Sequence, residues 1–314
     1  MAKISISDAA FTGLGLIGRK PLVVLVWGLA FLLLLALPML GLFALMGQEF
    51  ARSLPLLTPP EAGAMDQDAM QQVMRLQSSM MLFNVGSWLW GTLVQAVICA
   101  AIFRAVLKPA QPGLAYLRLG TAELLLALLF LVQNVLAYIV AVLVMIVIAI
   151  LAFIVGLASG QGEAGVAAGV ITAVVLGFVA LGLMVWVALR LSMAAPMTVA
   201  EGRFRLFESW GLTRGRGWAL LGVGVLTVLI VLVIELLFGG VALAAFFAAG
   251  GPPAWLSDTA AVQNFMARPP VEILTLLAPW LIAGGVIWML LAGVISAVFC
   301  APWAAVYRDL TRAA

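Results

Sequence analysis

The chain has 314 residues, of which 65% are hydrophobic and only 9% are charged, and its mean hydropathy is +1.22. Ordinary soluble domains are about half apolar and about a quarter charged, so this composition excludes a soluble fold and predicts an all-α polytopic membrane bundle. The net charge of +3 comes from basic residues beside the apolar segments. That placement indicates membrane topology and argues against nucleic acid as a partner.

Six apolar segments are long enough for the roughly 20 helical residues that cross a bilayer. The predicted spans are residues 21–43, 81–106, 124–156, 165–191, 218–246 and 274–298. The third segment is longer than one span requires, and two short helices with a turn near Gln133 and Asn134 are the alternative. Neither Gly nor Pro marks such a turn, so we expect one long helix that tilts in the bilayer or protrudes from it.

Positive charge lies mostly on one side of these spans. Thirteen of the sixteen Lys and Arg residues fall there, and only Arg52, Arg75 and Arg268 fall on the other side. Cytoplasmic loops carry the excess of Lys and Arg, so both termini are predicted to be cytoplasmic. The composition, rich in Ala, Leu and Gly with three lysines, is typical of a GC-rich bacterium, and the expected location is the bacterial inner membrane.

A related pattern precedes each odd-numbered span. Short amphipathic segments with Gly and basic residues occupy residues 9–28, 113–130 and 205–222, and related span endings begin at Ile98, Ser192 and Phe299. We interpret this as a threefold repeat of an interfacial helix and a transmembrane hairpin within a single membrane domain, residues 1–314. The units are about 5–108, 113–202 and 203–312. Chance similarity among abundant Leu, Gly and Ala is the alternative.

The third interfacial segment combines an apolar face with a largely basic face. Six residues in and beside it are predicted to contact anionic lipid headgroups or a cytoplasmic partner: Arg203, Arg205, Trp210, Arg214, Arg216 and Trp218. The alternative is an anchor that only fixes the angle at which the hairpin enters the membrane.

The sequence FESWGLTRGRGWALLGVGVL, residues 207–226, resembles the Ser-Trp-x-Leu-Thr-x-Gly-x-x-Trp stretch of the membrane domain attached to some bacterial glycerophosphodiester phosphodiesterases. Related, largely uncharacterised six-helix families share this stretch. Residues 190–202 and 301–310 resemble the span endings of the same family. The resemblance implies a six-span module without an established chemistry of its own. No TIM-barrel sequence follows residue 314, so no hydrolase activity and no catalytic residue is carried over.

The sequence contains no recognisable enzyme signature. The sequence contains no histidine, which excludes His-based triads and His-ligated metal sites. Cys99 and Cys300 lie in apolar segments and are interpreted as small buried hydrophobes. Four acids stand among arginines, which indicates charge pairing rather than acid–base catalysis: Glu123, Glu201, Glu208 and Asp309. We therefore predict a non-enzymatic protein with no cofactor and no metal site.

Glu235 interrupts the fifth span, roughly 25 Å along the helix from Trp218 at 1.5 Å per residue. Ionisable residues within spans usually face the bundle interior or a watery cavity. We therefore predict that Glu235 binds a cation, a proton or a polar headgroup in a cavity open to the outer side. Four amides are predicted to line the same polar path: Gln95, Gln133, Asn134 and Asn84. Hydrogen bonds between helices are the alternative role of these amides.

Two functional hypotheses follow from these features. The first is transport or handling of a lipid or other amphiphile, with membrane lipids as partners. The second is a membrane scaffold or accessory subunit that binds a protein partner. It is suggested by the lack, in the sequence, of nucleotide-binding elements and of charged relays that would drive transport. The sequence identifies neither the cargo nor the partner.

Overall fold

The computed structural model describes residues 5–36, 38, 41, 67–111, 113–160, 162–248, 251 and 259–312. These residues form helices and connecting turns, and none of them forms a strand. Five of the described helices are long and apolar enough to cross a membrane, or six if one bent pair counts as a single span. The predicted all-α class is confirmed, and the helices fit a multi-pass membrane protein.

The described helices follow in the order α1 (Ile6–Ala10), α2 (Thr12–Arg19), α3 (Pro21–Ala36), α4 (Gln67–Leu107), α5 (Thr121–Ala158), α6 (Glu163–Leu191), α7 (Ala194–Glu201), α8 (Glu208–Leu212), α9 (Gly217–Ala248), α10 (Thr259–Met266) and α11 (Pro270–Arg312). The last five predicted spans fall within α4, α5, α6, α9 and α11. The first falls on α3, which meets α2 at a bend of 103°. Of this first span, residues 37, 39, 40, 42 and 43 lie outside the described part.

Helices α5 and α6 form a long apolar hairpin. As predicted, α5 runs without a break through Gln133 and Asn134, and its 38 residues measure about 57 Å at 1.5 Å each. Glycines bring the two helices close at the turn, because a Cβ on Gly169 would lie 3.0 Å from the Ala152 carbonyl oxygen. None of the most apolar 18 residues of either helix is buried, so most of the hairpin surface is available to lipid.

The contacts of the chain divide it into two compact units. Unit 1 comprises Met1–Ala10, Ala100–Leu226 and Ala301–Ala314, and unit 2 comprises Phe11–Cys99 and Thr227–Cys300. The boundaries of these units do not follow those of the three predicted repeats at 5–108, 113–202 and 203–312.

The core of unit 1 is built where several helices end. Its buried cluster contains Ala9, Met193, Met197, Leu220, Val223, Val306, Tyr307 and Leu310. Much of this core therefore comes from two of the related span endings recognised in the sequence, residues 192–202 and 299–309. Helix α1 and the start of α9 also contribute to it. Leu107, at the end of the remaining span ending, packs against the same cluster.

Unit 2 is held together by close helix packing at small residues. A Cβ on Gly293 of α11 would lie 2.5 Å from the carbonyl oxygen of Val24 and 3.1 Å from the backbone nitrogen of Gly28, both on α3. Such small residues let helix backbones approach closely in membranes. Trp27 is fully buried, and the indole of Trp90 donates a 2.6 Å hydrogen bond to the Leu34 carbonyl.

The three predicted interfacial segments differ in structure. The first forms α1 and α2. The second contains no helix before α5, because Ala115 and Tyr116 have φ values of 51° and 62°, which a right-handed helix does not allow. In the third, the helix is limited to the five residues of α8, Glu208–Leu212. A uniform interfacial helix is therefore not present in the described parts of these segments.

Candidate functional site

The segment that contains α8 is bonded to the end of α6. The Ser209 hydroxyl donates a 2.7 Å hydrogen bond to the Arg190 carbonyl and accepts a 3.2 Å bond from the Met193 backbone N–H. The Thr213 hydroxyl lies 3.3 Å from the same Arg190 carbonyl. The last carbonyl groups of a helix have no partner within it, and here buried hydroxyls supply one. Ser209 and Thr213 thus explain part of the Ser-Trp-x-Leu-Thr stretch.

Arg190 and two tryptophans form a cluster beside this contact. Trp186, one turn earlier on α6, meets Trp210 of α8 edge to face, with ring centroids 5.1 Å apart and planes at 86°. The guanidinium carbon of Arg190 lies 5.3 Å from the Trp186 centroid and 5.9 Å from the Trp210 centroid. Both distances fall within the range of cation–π attraction. One guanidinium nitrogen, Nη1, also donates a 2.8 Å bond to the Thr213 carbonyl.

Arg190 keeps hydrogen-bonding capacity that the described residues do not use. A guanidinium has five N–H donors. Among the described residues, Arg190 donates a hydrogen bond only from Nη1, to the Thr213 carbonyl. Its Nε is buried without an acceptor in the described part of the chain. Among the described residues, no carboxylate lies within 4.0 Å of Arg190, whereas Arg104, Arg205 and Arg308 each form an ion pair. Arg190 is therefore a cation at a helix end without a described counter-ion.

The four acids predicted to pair with arginine all do so. Glu123 is 1% exposed and pairs with Arg104. Asp309 pairs with Arg308 at 3.4 Å, and the carboxylates of Glu201 and Glu208 both pair with Arg205. The prediction of charge pairing at these residues is confirmed.

Arg205, predicted to contact lipid headgroups, is occupied by its neighbours. It donates 2.9 Å hydrogen bonds to Glu201 and to Glu208. These bonds raise the pKa of Arg205, and the bond from Arg205 lowers the pKa of Glu208 below its ordinary value of 4.5. Two carboxylates neutralise this guanidinium, so Arg205 has little attraction left for an anionic headgroup.

The other predicted headgroup residues remain accessible to different degrees. Trp210 belongs to the Arg190 cluster. Arg203 and Arg214 are exposed, and Trp218, at the start of α9, is 87% exposed. Arg216 donates a 3.2 Å bond to the Leu212 carbonyl. These residues precede and follow α8 in the sequence.

The predicted polar path is not joined by hydrogen bonds within the described residues. The Asn84 amide donates a 2.9 Å bond to the Met80 carbonyl of its own helix, and Gln95 is exposed on α4. Gln133 and Asn134 follow each other on α5 in unit 1, whereas Glu235 is exposed on α9 in unit 2. Glu235 makes no hydrogen bond or ion pair to any other described residue.

The sequence reasoning missed Arg190 and Trp186 as site residues. Arg190 is among the thirteen basic residues that served only as a topology signal, and the sequence pattern assigned no site role to Trp186. The available signal was their spacing of four residues, which places both side chains on one face of a helix. Trp210 could be recognised, but its contact with α6 requires the tertiary structure.

Comparison of the chain with known proteins finds no matching family, no matching curated protein and no matching solved structure.

Proposed function

We propose that this protein binds an anionic lipid at Arg190, Trp186 and Trp210 as part of handling or transporting a lipid or other amphiphile. The proposal rests on the unused hydrogen-bond donors of Arg190, which has no described counter-ion. Arg190 lies near the end of α6, an apolar helix whose surface is largely exposed. A guanidinium binds phosphate oxygens with charge-assisted hydrogen bonds, and tryptophans favour the interfacial region of a membrane. A phospholipid headgroup satisfies both groups.

The proposal includes a six-span arrangement in a bacterial inner membrane with both termini cytoplasmic. Its support is the position of Lys108, Arg118, Arg203, Arg214 and Arg216 in the segments that join the spans on one predicted side, because cytoplasmic loops are rich in Lys and Arg. Reporter fusions test it. A fusion after residue 314 should be active as a cytoplasmic reporter, and one at residue 160 as an outer reporter; the reverse pattern would contradict the orientation.

The headgroup proposal is tested by replacing Arg190. The protein is reconstituted into nanodiscs that contain phosphatidylglycerol and phosphatidylcholine, and retained lipids are counted by native mass spectrometry. Loss of a charged hydrogen-bond partner costs about 1.5–3 kcal/mol, so Arg190→Gln should weaken retention of the anionic lipid roughly tenfold or more. Arg268→Gln is the matched control, because Arg268 is exposed, pairs with Glu272 and is not among the predicted headgroup residues.

Equal retention of phosphatidylglycerol by Arg190→Gln and Arg268→Gln would refute the site. Trp186→Leu gives an independent check. It removes one ring beside the guanidinium but keeps the charge, so it should weaken retention less than Arg190→Gln.

Glu235 also remains part of the proposal as a ligand for a cation, a proton or a polar headgroup. Its support is the position of an exposed carboxylate in a helix long and apolar enough to span a membrane. An unpaired charge in hydrocarbon is costly, so a ligand would relieve the cost. If Glu235→Gln changed neither lipid retention nor stability, this role would be lost.

A scaffold role is the second candidate, and the length of α5 favours it. Exposed large apolar side chains extend from Leu124 to Leu157, about 50 Å of helix. The hydrocarbon core is about 30 Å thick, and even a tilt of about 40° leaves the projected length near 38 Å. A protein partner that covers the apolar part of α5 outside the hydrocarbon core would explain why this helix is so long.

Accessibility of the hairpin tip tests the scaffold role. Leu157→Cys should react with a water-soluble maleimide in liposomes that contain this protein alone, and should be protected in native membranes. Leu143→Cys, in the middle of α5, should be protected in both. Protection of Leu157→Cys in both preparations would indicate that lipid covers the tip, which contradicts the scaffold role.

We also propose that residues 207–226 are related to the membrane domain of glycerophosphodiester phosphodiesterases, which they resemble in sequence. Its support is that Ser209 and Thr213 have defined structural roles at the end of α6. A relative with the same motif and the same hydroxyl contacts in a solved structure would test it.

A further inference from the structure

The two cysteines of the chain meet each other inside unit 2. Cys99 lies on α4 and Cys300 on α11, 201 residues apart in sequence, and their sulfur atoms are 2.7 Å apart. Cys99 is 4% exposed and Cys300 is 5% exposed, and both are free thiols. The sequence predicted two separate buried hydrophobes, whereas the structure makes them a pair.

The approach of the sulfur atoms is closer than ordinary packing of two thiols. A disulfide bond is about 2.05 Å long, so less than about 1 Å of sulfur movement separates the two thiols from bonding distance. The surrounding residues Val97, Ile98 and Ala301 are buried. The thiols are thus aligned by packed helices rather than by a mobile loop.

We infer that Cys99 and Cys300 are an oxidation site at which an intramolecular disulfide joins α4 to α11. The oxidant is a small uncharged peroxide, which can reach a site that is closed to larger or charged thiol reagents. This inference is independent of the lipid site at Arg190.

The reaction balances with one peroxide. One thiol attacks the O–O bond, becomes a sulfenic acid and releases one water. The second sulfur attacks the sulfenic sulfur, the S–O bond breaks and a second water leaves. Together the two thiols lose two electrons and two protons, which reduce one hydrogen peroxide to two waters.

The disulfide would restrain a packed part of unit 2. Gly293 of α11 lies against Val24 and Gly28 of α3, so a bond from α11 to α4 fixes α4 relative to that helix pair. Because the sulfur atoms are buried, charged reductants such as glutathione would reach the bond slowly. Oxidation therefore stabilises the unit and persists in the presence of cytoplasmic thiols.

Thiol counting in the intact protein tests the inference. The protein in nanodiscs is treated with hydrogen peroxide, the peroxide is removed, and the protein is denatured in SDS and labelled with a polyethylene-glycol maleimide. We expect two labels per chain before oxidation and none afterwards, with both restored by dithiothreitol after denaturation. Cys99→Ala and Cys300→Ala lack the second thiol, so oxidation should stop at a sulfenic acid and neither variant should form an intramolecular disulfide.

Two further measurements complete the test. Mass spectrometry of the oxidised wild-type protein should find a Cys99–Cys300 cross-linked peptide, and the unfolding temperature should rise on oxidation in the wild type but not in Cys99→Ala. The inference is overturned if two labels persist after peroxide, if the cysteines cross-link between chains, or if they gain oxygen without cross-linking. The wild-type thiol count and cross-linked peptide decide the matter even if a variant fails to fold.

Discussion

Replacement of Gly293 by Ala should separate α11 from α3. The added Cβ would lie 2.5 Å from the Val24 carbonyl oxygen, 3.1 Å from the Gly28 nitrogen and 3.3 Å from the Gly28 Cα. All three are backbone atoms, so no side-chain rotation can relieve the contact. Ordinary contact begins at 3.4 Å, and the two helices must therefore move apart by roughly 0.9 Å at this point.

The matched control is Gly284→Ala on the same helix, where a Cβ meets no atom within 4 Å. Both changes gain the same helix propensity, about 1 kcal/mol for Gly to Ala, so the difference between them isolates the packing strain. Overpacking of a closely packed site costs about 1–3 kcal/mol. We expect Gly293→Ala to be less stable than Gly284→Ala by that amount.

Equilibrium unfolding in mixed micelles, with SDS as the denaturant and tryptophan fluorescence as the signal, measures this difference. Trp27 is buried on α3 and should report the separation of the helices directly. Equal free energies of unfolding for the two variants would refute the close approach of α3 and α11.

Three further changes test other contacts. Ser209→Ala should destabilise the junction of α6 and α7 by about 1–3 kcal/mol, because it leaves buried backbone groups unpaired. The control is Ser192→Ala, which loses only a hydrogen bond within its own turn and should cost little stability. Thermal unfolding of the two variants measures the difference. Because Arg205 lowers the pKa of Glu208 below 4.5, their ion pair stabilises the segment above pH 4.5 and is lost as the pH falls through the lowered pKa. The protection factors of the α8 amides, which correct for the slower intrinsic exchange in acid, should fall over that acid range in the wild type and change less in Glu208→Gln; identical pH profiles would contradict the pairing. Gly169→Leu should push α5 and α6 apart near the tip of their hairpin, which a distance between spin labels on the two helices measures. An unchanged distance would contradict the close packing at Gly169.

Much of the fold could be predicted because it follows from the composition and the lengths of apolar segments. A segment such as 124–156 has no Gly or Pro near Gln133 to interrupt it, and backbone groups in lipid must be satisfied within the helix. A single long α5 is the result. The pairing of Glu123 with an arginine also followed, because Glu123 stands among arginines in the segments predicted to be cytoplasmic.

The contacts between distant segments could not be predicted in the same way. The interfacial helix expected within residues 205–222 is limited to α8, where Ser209 and Thr213 bond to the end of α6 instead of facing solvent. Local periodicity carries no information about such a bond. For the same reason the sequence predicted Trp210 as a headgroup residue without its contact to α6, and it did not predict the pairing of Cys99 with Cys300 across 201 residues.

A density map of the protein in a nanodisc that contains an anionic phospholipid tests the lipid proposal most directly. The proposal predicts a phosphate group within about 3 Å of the Arg190 guanidinium, beside the rings of Trp186 and Trp210. A guanidinium without lipid density, or one occupied by a carboxylate of the protein itself, would contradict it.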